Sequence, residues 1–207
     1  MKILALELSS ARGSIAWLDD AEPVNCSFAN DRKHSGAFFE NLRLYTQRFG
    51  AADLIVVGLG PGSYAGARIA IAAAIGLRAA SGTRLAGIPS ICAIETAAND
   101  YGIIGDARRH SFYFAQTKDG RIGEGPTLSS PEELEAKLLG FEMPLYTTEQ
   151  LPRFPQATLS FPLAARLAEL GHAQFDEIDD TQSLEPIYLR EPHITVPRVP
   201  RPSIVTS

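Results

Sequence analysis

Cysteine is scarce: Cys26 and Cys92 are the only two in 207 residues. No disulfide framework, no Cys-x-x-Cys motif and no thiolate metal site can be built from them, which suits a reducing, cytoplasmic setting. Histidine is scarce too. His34, His110, His172 and His193 include no pair at the spacing of a helical metal site, so each reads as a surface residue. Basic residues are outnumbered, with 19 Lys and Arg against 24 Asp and Glu. The net charge of −5 argues against wholesale wrapping of nucleic acid and leaves room for a local basic patch. No apolar run reaches the ~20 residues of a membrane span. The first one, Ile3 to Leu6, is too short for a signal peptide. No Gly-Lys-Ser/Thr follows a glycine turn, which excludes a P-loop, and no Gly-x-Ser-x-Gly elbow exists. Long low-complexity tracts are absent.

What is present is organised around residues 53–82. Leu54 to Val57 reads as a buried parallel strand. Gly58 to Ser63 follows as a loop dense in glycine, in which Gly60 and Gly62 flank Pro61 and free the backbone on either side of a fixed φ. Ser63 stands where a helix N-cap is wanted, before a helix from Tyr64 to Ala80. The pattern predicts a strand, a tight turn and a helix whose first N–H groups face a gap. Such a turn attracts anions, and its bland alternative is close packing of helix on strand. The dinucleotide fingerprint is a poor match, because no acidic residue stands about twenty positions on.

That helix is apolar nearly all round. At 100° per residue, Gly66, Ile69, Ala70, Ala73, Leu77 and Ala80 are expected on one face. Tyr64, Ile71 and Ile75 are expected on the other, flanked by Arg68 and Arg78. A helix of this kind needs cover on both sides. The small-residue face suits its own sheet. The second face is expected to be covered by another protein or protomer, with this chain's own second half as the alternative.

The remaining pattern predicts strands at 3–8, 14–18 and 24–28, an amphipathic helix at 35–49, a strand at 84–88 and a helix at 90–98. A composition change at Asn99 to Gly102 opens a second lobe. It begins with a strand at Ile103 and Ile104. A hairpin of 111–117 and 121–128 follows, turning at Lys118-Asp119-Gly120. Ser130-Pro131-Glu132-Glu133 reads as a capping box before a helix to Leu139. A short strand at Leu145 and Tyr146 and a helix from Ser160 to Leu170, stopped by Gly171, complete it. The expected organisation is an α/β chain with lobes at 1–99 and 100–190, each a mixed sheet with helices, the second curtailed. A proline-rich extended tail follows at 191–207.

Candidate chemistry is thin. Glu7 ends the first strand beside the glycine loop, where it could hold a metal–phosphate or simply cap the Ser9-to-Gly13 turn. Arg108 and Arg109 leave a strand end together and offer a phosphate contact, with surface solvation as the bland reading.

The run Gly60-Pro61-Gly62-Ser63-Tyr64-Ala65-Gly66-Ala67-Arg68-Ile69 resembles the Gly-Pro-Gly-Ser-Phe-Thr-Gly-x-Arg-Ile signature of the bacterial TsaB (YeaZ) family of tRNA threonylcarbamoyladenosine biosynthesis. Leu6-Glu7-Leu8-Ser9, His34-Ser35, Ile88-Pro89-Ser90, Asp106-Ala107-Arg108-Arg109 and Pro186-Ile187-Tyr188-Leu189-Arg190 resemble further family segments in the same order. The similarity spans nearly the whole chain. It implies an actin-like ATPase (ribonuclease H-like) fold of two lobes, the second reduced. It also implies a non-catalytic, cytoplasmic subunit supporting a TsaD-like catalytic subunit. With a TsaE-like ATPase, these proteins place a threonylcarbamoyl group on N6 of an adenosine in tRNA. The two first-lobe helices then supply the contact with TsaD or with a second copy: Phe38, Leu42, Tyr45, Tyr64, Arg68, Ile71, Ile75 and Arg78. Glu7, Gly60, Gly62 and Ser63 become candidates for a weak ATP or ADP site at that contact, with nothing tightly bound. Arg108 and Arg109 become candidates for tRNA contact within the complex. No catalytic and no metal residue carries over. Glu7 replaces the family's aspartate, Tyr64-Ala65 replace Phe-Thr, and Leu8 stands where actin-like kinases have glycine. These departures weigh against ATP hydrolysis by the chain alone. A small actin-like ATPase or kinase acting on its own is the alternative reading. A glycoprotease-type metallopeptidase is a poor third, for want of a histidine pair.

Overall fold

The computed structural model describes residues 1–20, 22–30, 35–179 and 184–190. The expected tail at 191–207, with His193, and the His34 position lie outside the described residues. The first half runs β1 (Lys2–Glu7), β2 (Arg12–Asp19), β3 (Val24–Ala29), α1 (Gly36–Phe49), β4 (Leu54–Gly58), α2 (Tyr64–Ser81) and β5 (Arg84–Ile88). The second half runs β6 (Tyr101–Asp106), β7 (Phe112–Lys118), β8 (Arg121–Ser129), α3 (Pro131–Leu138), β9 (Leu145–Thr147), β10 (Thr158–Leu159) and α4 (Ala164–Ala173).

Each half makes one five-stranded sheet, in the orders β3-β2-β1-β4-β5 and β10-β9-β6-β7-β8. The second order is the first repeated strand for strand. In both sheets the leading three strands are antiparallel and the last two join in parallel. The chain is thus α/β with two mixed sheets, the second reduced: its closing strands hold three and two residues. No helix stands between β9 and β10 where α2 stands between β4 and β5.

The apolar faces stack these parts in five layers. α1 and α2 cover one face of the first sheet, where Phe38, Leu42, Tyr45, Ala70, Ile71 and Ala74 pack on Leu4, Leu6, Ile55 and Val57. α4 and the Ser90–Ala93 turn lie between the two sheets and share a core with both. α3 covers the outer face of the second sheet through Leu134, beside Phe114 and Phe154. β4 is buried throughout and β1 from Ile3 onward, and their runs Ile3–Leu6 and Leu54–Val57 are apolar on both faces, as central strands require.

Two expected helices differ. The helix expected at 90–98 is a single 3-10 turn, Ser90–Ala93. Ile94 instead bridges Pro162, and Glu95 N–H donates to the Phe161 carbonyl at 2.9 Å, so long-range pairing takes the backbone away from the helix. The same pairing delays the last helix to Ala164. Gly171 does not stop that helix. It sits within α4 because a Cβ there would stand 2.5 Å from Val56 Cγ2.

Candidate functional site

α2 begins as its sequence requires. The Ser63 side chain accepts from Gly66 N–H at 3.2 Å and caps the helix. Gly60 has φ 87°. At Gly62 a Cβ would stand 2.1 Å from the Ser9 carbonyl oxygen, and Ser63 N–H donates to that oxygen at 2.5 Å. The glycine turn therefore lies directly on the turn that follows β1, which also brings Ser10 and Asn30 alongside. Asn30 Nδ2 ties this wall together by donating to the carbonyls of Leu8 at 2.9 Å and Ser10 at 2.7 Å.

Facing this wall is the turn between β6 and β7. Its residues Arg108, Arg109 and His110 have φ of 64°, 54° and 56°, three successive left-handed residues with side chains. Each such residue costs about 1–2 kcal/mol. The turn is held by Asp106, whose Oδ1 accepts from Arg108 N–H at 2.6 Å and whose Oδ2 pairs with Arg108 Nη1 at 3.0 Å. Ala107 N–H closes onto the Ser111 carbonyl at 2.9 Å. Residues 186–190 form the third wall. Ile187 N–H donates to the Leu59 carbonyl at 2.8 Å, and Arg190 Nη2 donates to Ser111 Oγ at 2.6 Å. The three walls enclose a cleft of about 690 Å³ between the lobes, ample for a small ligand. Gly60, Gly62, Ser63, Arg108 and Arg109, read separately from the sequence, all line it.

Glu7 does not line it. Its side chain is fully buried beneath the glycine turn, and its Oε1 accepts Ser9 N–H at 2.5 Å. Oε2 has no hydrogen-bond partner and lies 1.8 Å from where a Gly58 Cβ would stand. Burial pushes the Glu7 carboxyl above its ordinary range, and the hydroxyls of Ser9 and Ser90 soften that effect without cancelling it. Of the two readings of Glu7, the structure fits the second: its carboxyl holds the turn after β1 from inside and does not face the cleft.

The helix faces are corrected in part. Phe38, Leu42, Tyr45 and Ile71 are buried in the core between the sheet and the two helices, so no partner reaches them. Tyr64 and Ile75 are 51% and 49% exposed. Around them Ala65, Arg68, Ala72, Gly76 and Ala79 are exposed as well, making a stripe along α2 whose one charge is Arg68. Arg78 is half-buried at its edge. On α1 the exposed apolar side chains are Phe39 and Leu44, 49% and 47% open. Arg68 Nη1 donates to Tyr64 Oη and the guanidinium lies 5.0 Å from the Tyr64 ring centre.

Among the described residues, no group of three His, Cys, Asp or Glu side chains is placed to hold a metal ion. Among the same residues, no helix is long and apolar enough to cross a membrane.

A family profile for TsaD, tRNA N6-adenosine threonylcarbamoyltransferase, matches residues 40–161, more than half of the chain. The chain belongs to the TsaD family. The matched stretch holds both the glycine turn and the Arg108–Arg109 turn. Among solved structures, an uncharacterised Pseudomonas aeruginosa protein with similarity to peptidase YeaZ aligns at 23% identity and TM-score 0.74, over 91% of this chain and 99% of that one. YeaZ from Pseudomonas aeruginosa aligns at 19% identity and TM-score 0.72, over 91% and 100%. At these identities the likeness is one of fold, and it makes this TsaD-family chain an actin-like, YeaZ-type structure. An uncharacterised protein of Mycobacterium leprae is 37% identical over 84 residues, 40% of this chain. The chain spans about a quarter of that relative, 23% of its length.

Sequence reasoning overlooked Arg190, Tyr188, Ser10 and Asn30 in the cleft of this TsaD-family fold, and Leu44 on its helix face. The Pro186-to-Arg190 motif is the sequence signal available for the third wall.

Proposed function

We propose that the chain is the non-catalytic subunit that binds and supports a TsaD-like catalytic subunit in forming threonylcarbamoyladenosine on tRNA. The observation that carries this reading is the open stripe on α2. Tyr64 and Ile75 stand half exposed among alanines and glycine along one side of α2. A contiguous apolar surface of this kind on a folded chain marks a place for another protein. Small residues at Ala72, Gly76 and Ala79 let a second helix approach closely. Membership of the TsaD family favours a related lobe as the occupant. A second copy of this chain is the occupant when it is alone, and a TsaE-like ATPase joins the assembled complex. The test is co-purification with the TsaD-like subunit after Ile75→Asp.

Within that assembly the cleft is a weak ATP or ADP site at the margin of the contact, since Tyr64 belongs to both. Arg109, exposed on its turn, is the residue offered to tRNA phosphate. One observation favours the alternative, an actin-like ATPase acting on its own: the glycine turn and two arginines face each other across the cleft. Turnover of Mg-ATP by the isolated chain would support that alternative, and its absence would remove it.

A further inference from the structure

Residues 184–190 cross from one lobe to the other at the cleft mouth. Leu184 packs with the outer core of the first lobe, and Ile187 N–H donates to the Leu59 carbonyl at 2.8 Å. The Tyr188 ring lies 5.3 Å from the Tyr64 ring at 34°. Leu189 then packs on the core shared by both sheets, and Arg190 Nη2 reaches Ser111 Oγ at 2.6 Å, at the end of the Arg108–Arg109 turn. The segment forms no helix or strand, and Glu185 and Tyr188 are exposed, so it belongs to the low-stability part of the fold. Tyr64, meanwhile, is held between Arg68 on α2 and Tyr188 on the segment. It lines the cleft and stands on the open face of α2.

We propose that residues 184–190 are a latch that couples the outer face of α2 to the arginine turn on the far wall of the cleft. The route is physical and short: Tyr64 to Tyr188, then Leu189 and Arg190 to Ser111. A subunit seated on α2 that shifts the Tyr64 ring draws on the latch, and the turn carrying Arg108 and Arg109 tightens or loosens with it. Among the described residues the buried Arg190 Nε has no hydrogen-bond partner, which marks the second-lobe end as incompletely fastened. This inference rests on the reading that α2's outer face receives a partner, and it can fail separately from it.

The test is hydrogen exchange read by mass spectrometry on the full chain without any partner. Tyr188→Ala is expected to speed exchange in the 106–113 segment by roughly five- to tenfold, the scale of one aromatic pair, with β1, β4 and β6 unchanged. Tyr188→Phe keeps the ring pair with Tyr64 and is expected to raise exchange at 106–113 by less than Tyr188→Ala does. Tyr64→Ala is expected to produce the same rise at 106–113, and the double variant to add nothing further. Wild-type exchange at 106–113 in Tyr188→Ala overturns the latch. So does a uniform rise across all strands, an equal rise in Tyr188→Phe, or additive effects in the double variant. Failure of the partner reading shows elsewhere, as undiminished pairing of Ile75→Asp.

Discussion

A Cβ on Gly66 would stand 1.9 Å from the carbonyl oxygen of Leu8. The contact is between helix and backbone, which cannot swing aside as a flexible side chain can. α2 therefore sits as close to the end of β1 as a glycine allows, and that closeness places the glycine turn over Ser9. Gly66→Ala is expected to cost about 2–3 kcal/mol, read by urea unfolding. Gly76, with nothing within 4 Å of its added Cβ, is the control. Gly76→Ala is expected to raise stability by about 0.5–1 kcal/mol.

Glu7 makes stability depend on pH. Its folded pKa is raised above the ordinary carboxyl value, with burial the main cause. In acid both folded and unfolded chains hold the proton. As pH climbs, the unfolded chain releases it first, so stability falls until the folded pKa is passed. Glu7→Gln removes that slope. The variant is expected to match wild type in acid and exceed it at neutral pH, measured by urea unfolding across a pH series.

The cleft's charge predicts a ligand effect. Arg108 is engaged by Asp106 at 3.0 Å, while Arg109 is exposed on the same turn. Isothermal titration of the isolated chain with Mg-ADP is expected to show weak binding, and Arg109→Glu to weaken it by about tenfold or more, the scale of a charged hydrogen bond. Heat unchanged in Arg109→Glu would place any nucleotide elsewhere.

Much of the fold was legible in the sequence because its signals are local. The apolar runs of β1 and β4, the Ser130 to Glu133 capping box and the Asp119-Gly120 hairpin each stand where their residues direct. The Gly60 and Gly62 turn and the Ser63 cap were legible for the same reason. What stayed hidden depends on distant chain. Ile94 pairs with Pro162, which no window around residue 94 contains. Ile71 and Ile75 lie one helical turn apart, and periodicity puts them together. Only the neighbouring α1, with Phe38 and Leu42 in the same core, decides that Ile71 is inside and Ile75 outside. The two halves of the cleft come from Gly60 to Ser63 and Arg108 to Arg109, which only the stacked sheets bring face to face.

One pair of variants tests the open side of α2. Ile71 is 6% exposed and Ile75 is 49% exposed. Ile71→Asp buries a charge and is expected to unfold or severely destabilise the chain, so it reports on the core alone. Ile75→Asp is expected to change stability by less than about 0.5 kcal/mol. The decisive measurement is co-purification of folded Ile75→Asp with the TsaD-like subunit, beside wild type. The account predicts that wild type carries the subunit through and that Ile75→Asp, equally folded, loses it. A folded Ile75→Asp that retains its partner undiminished would contradict it.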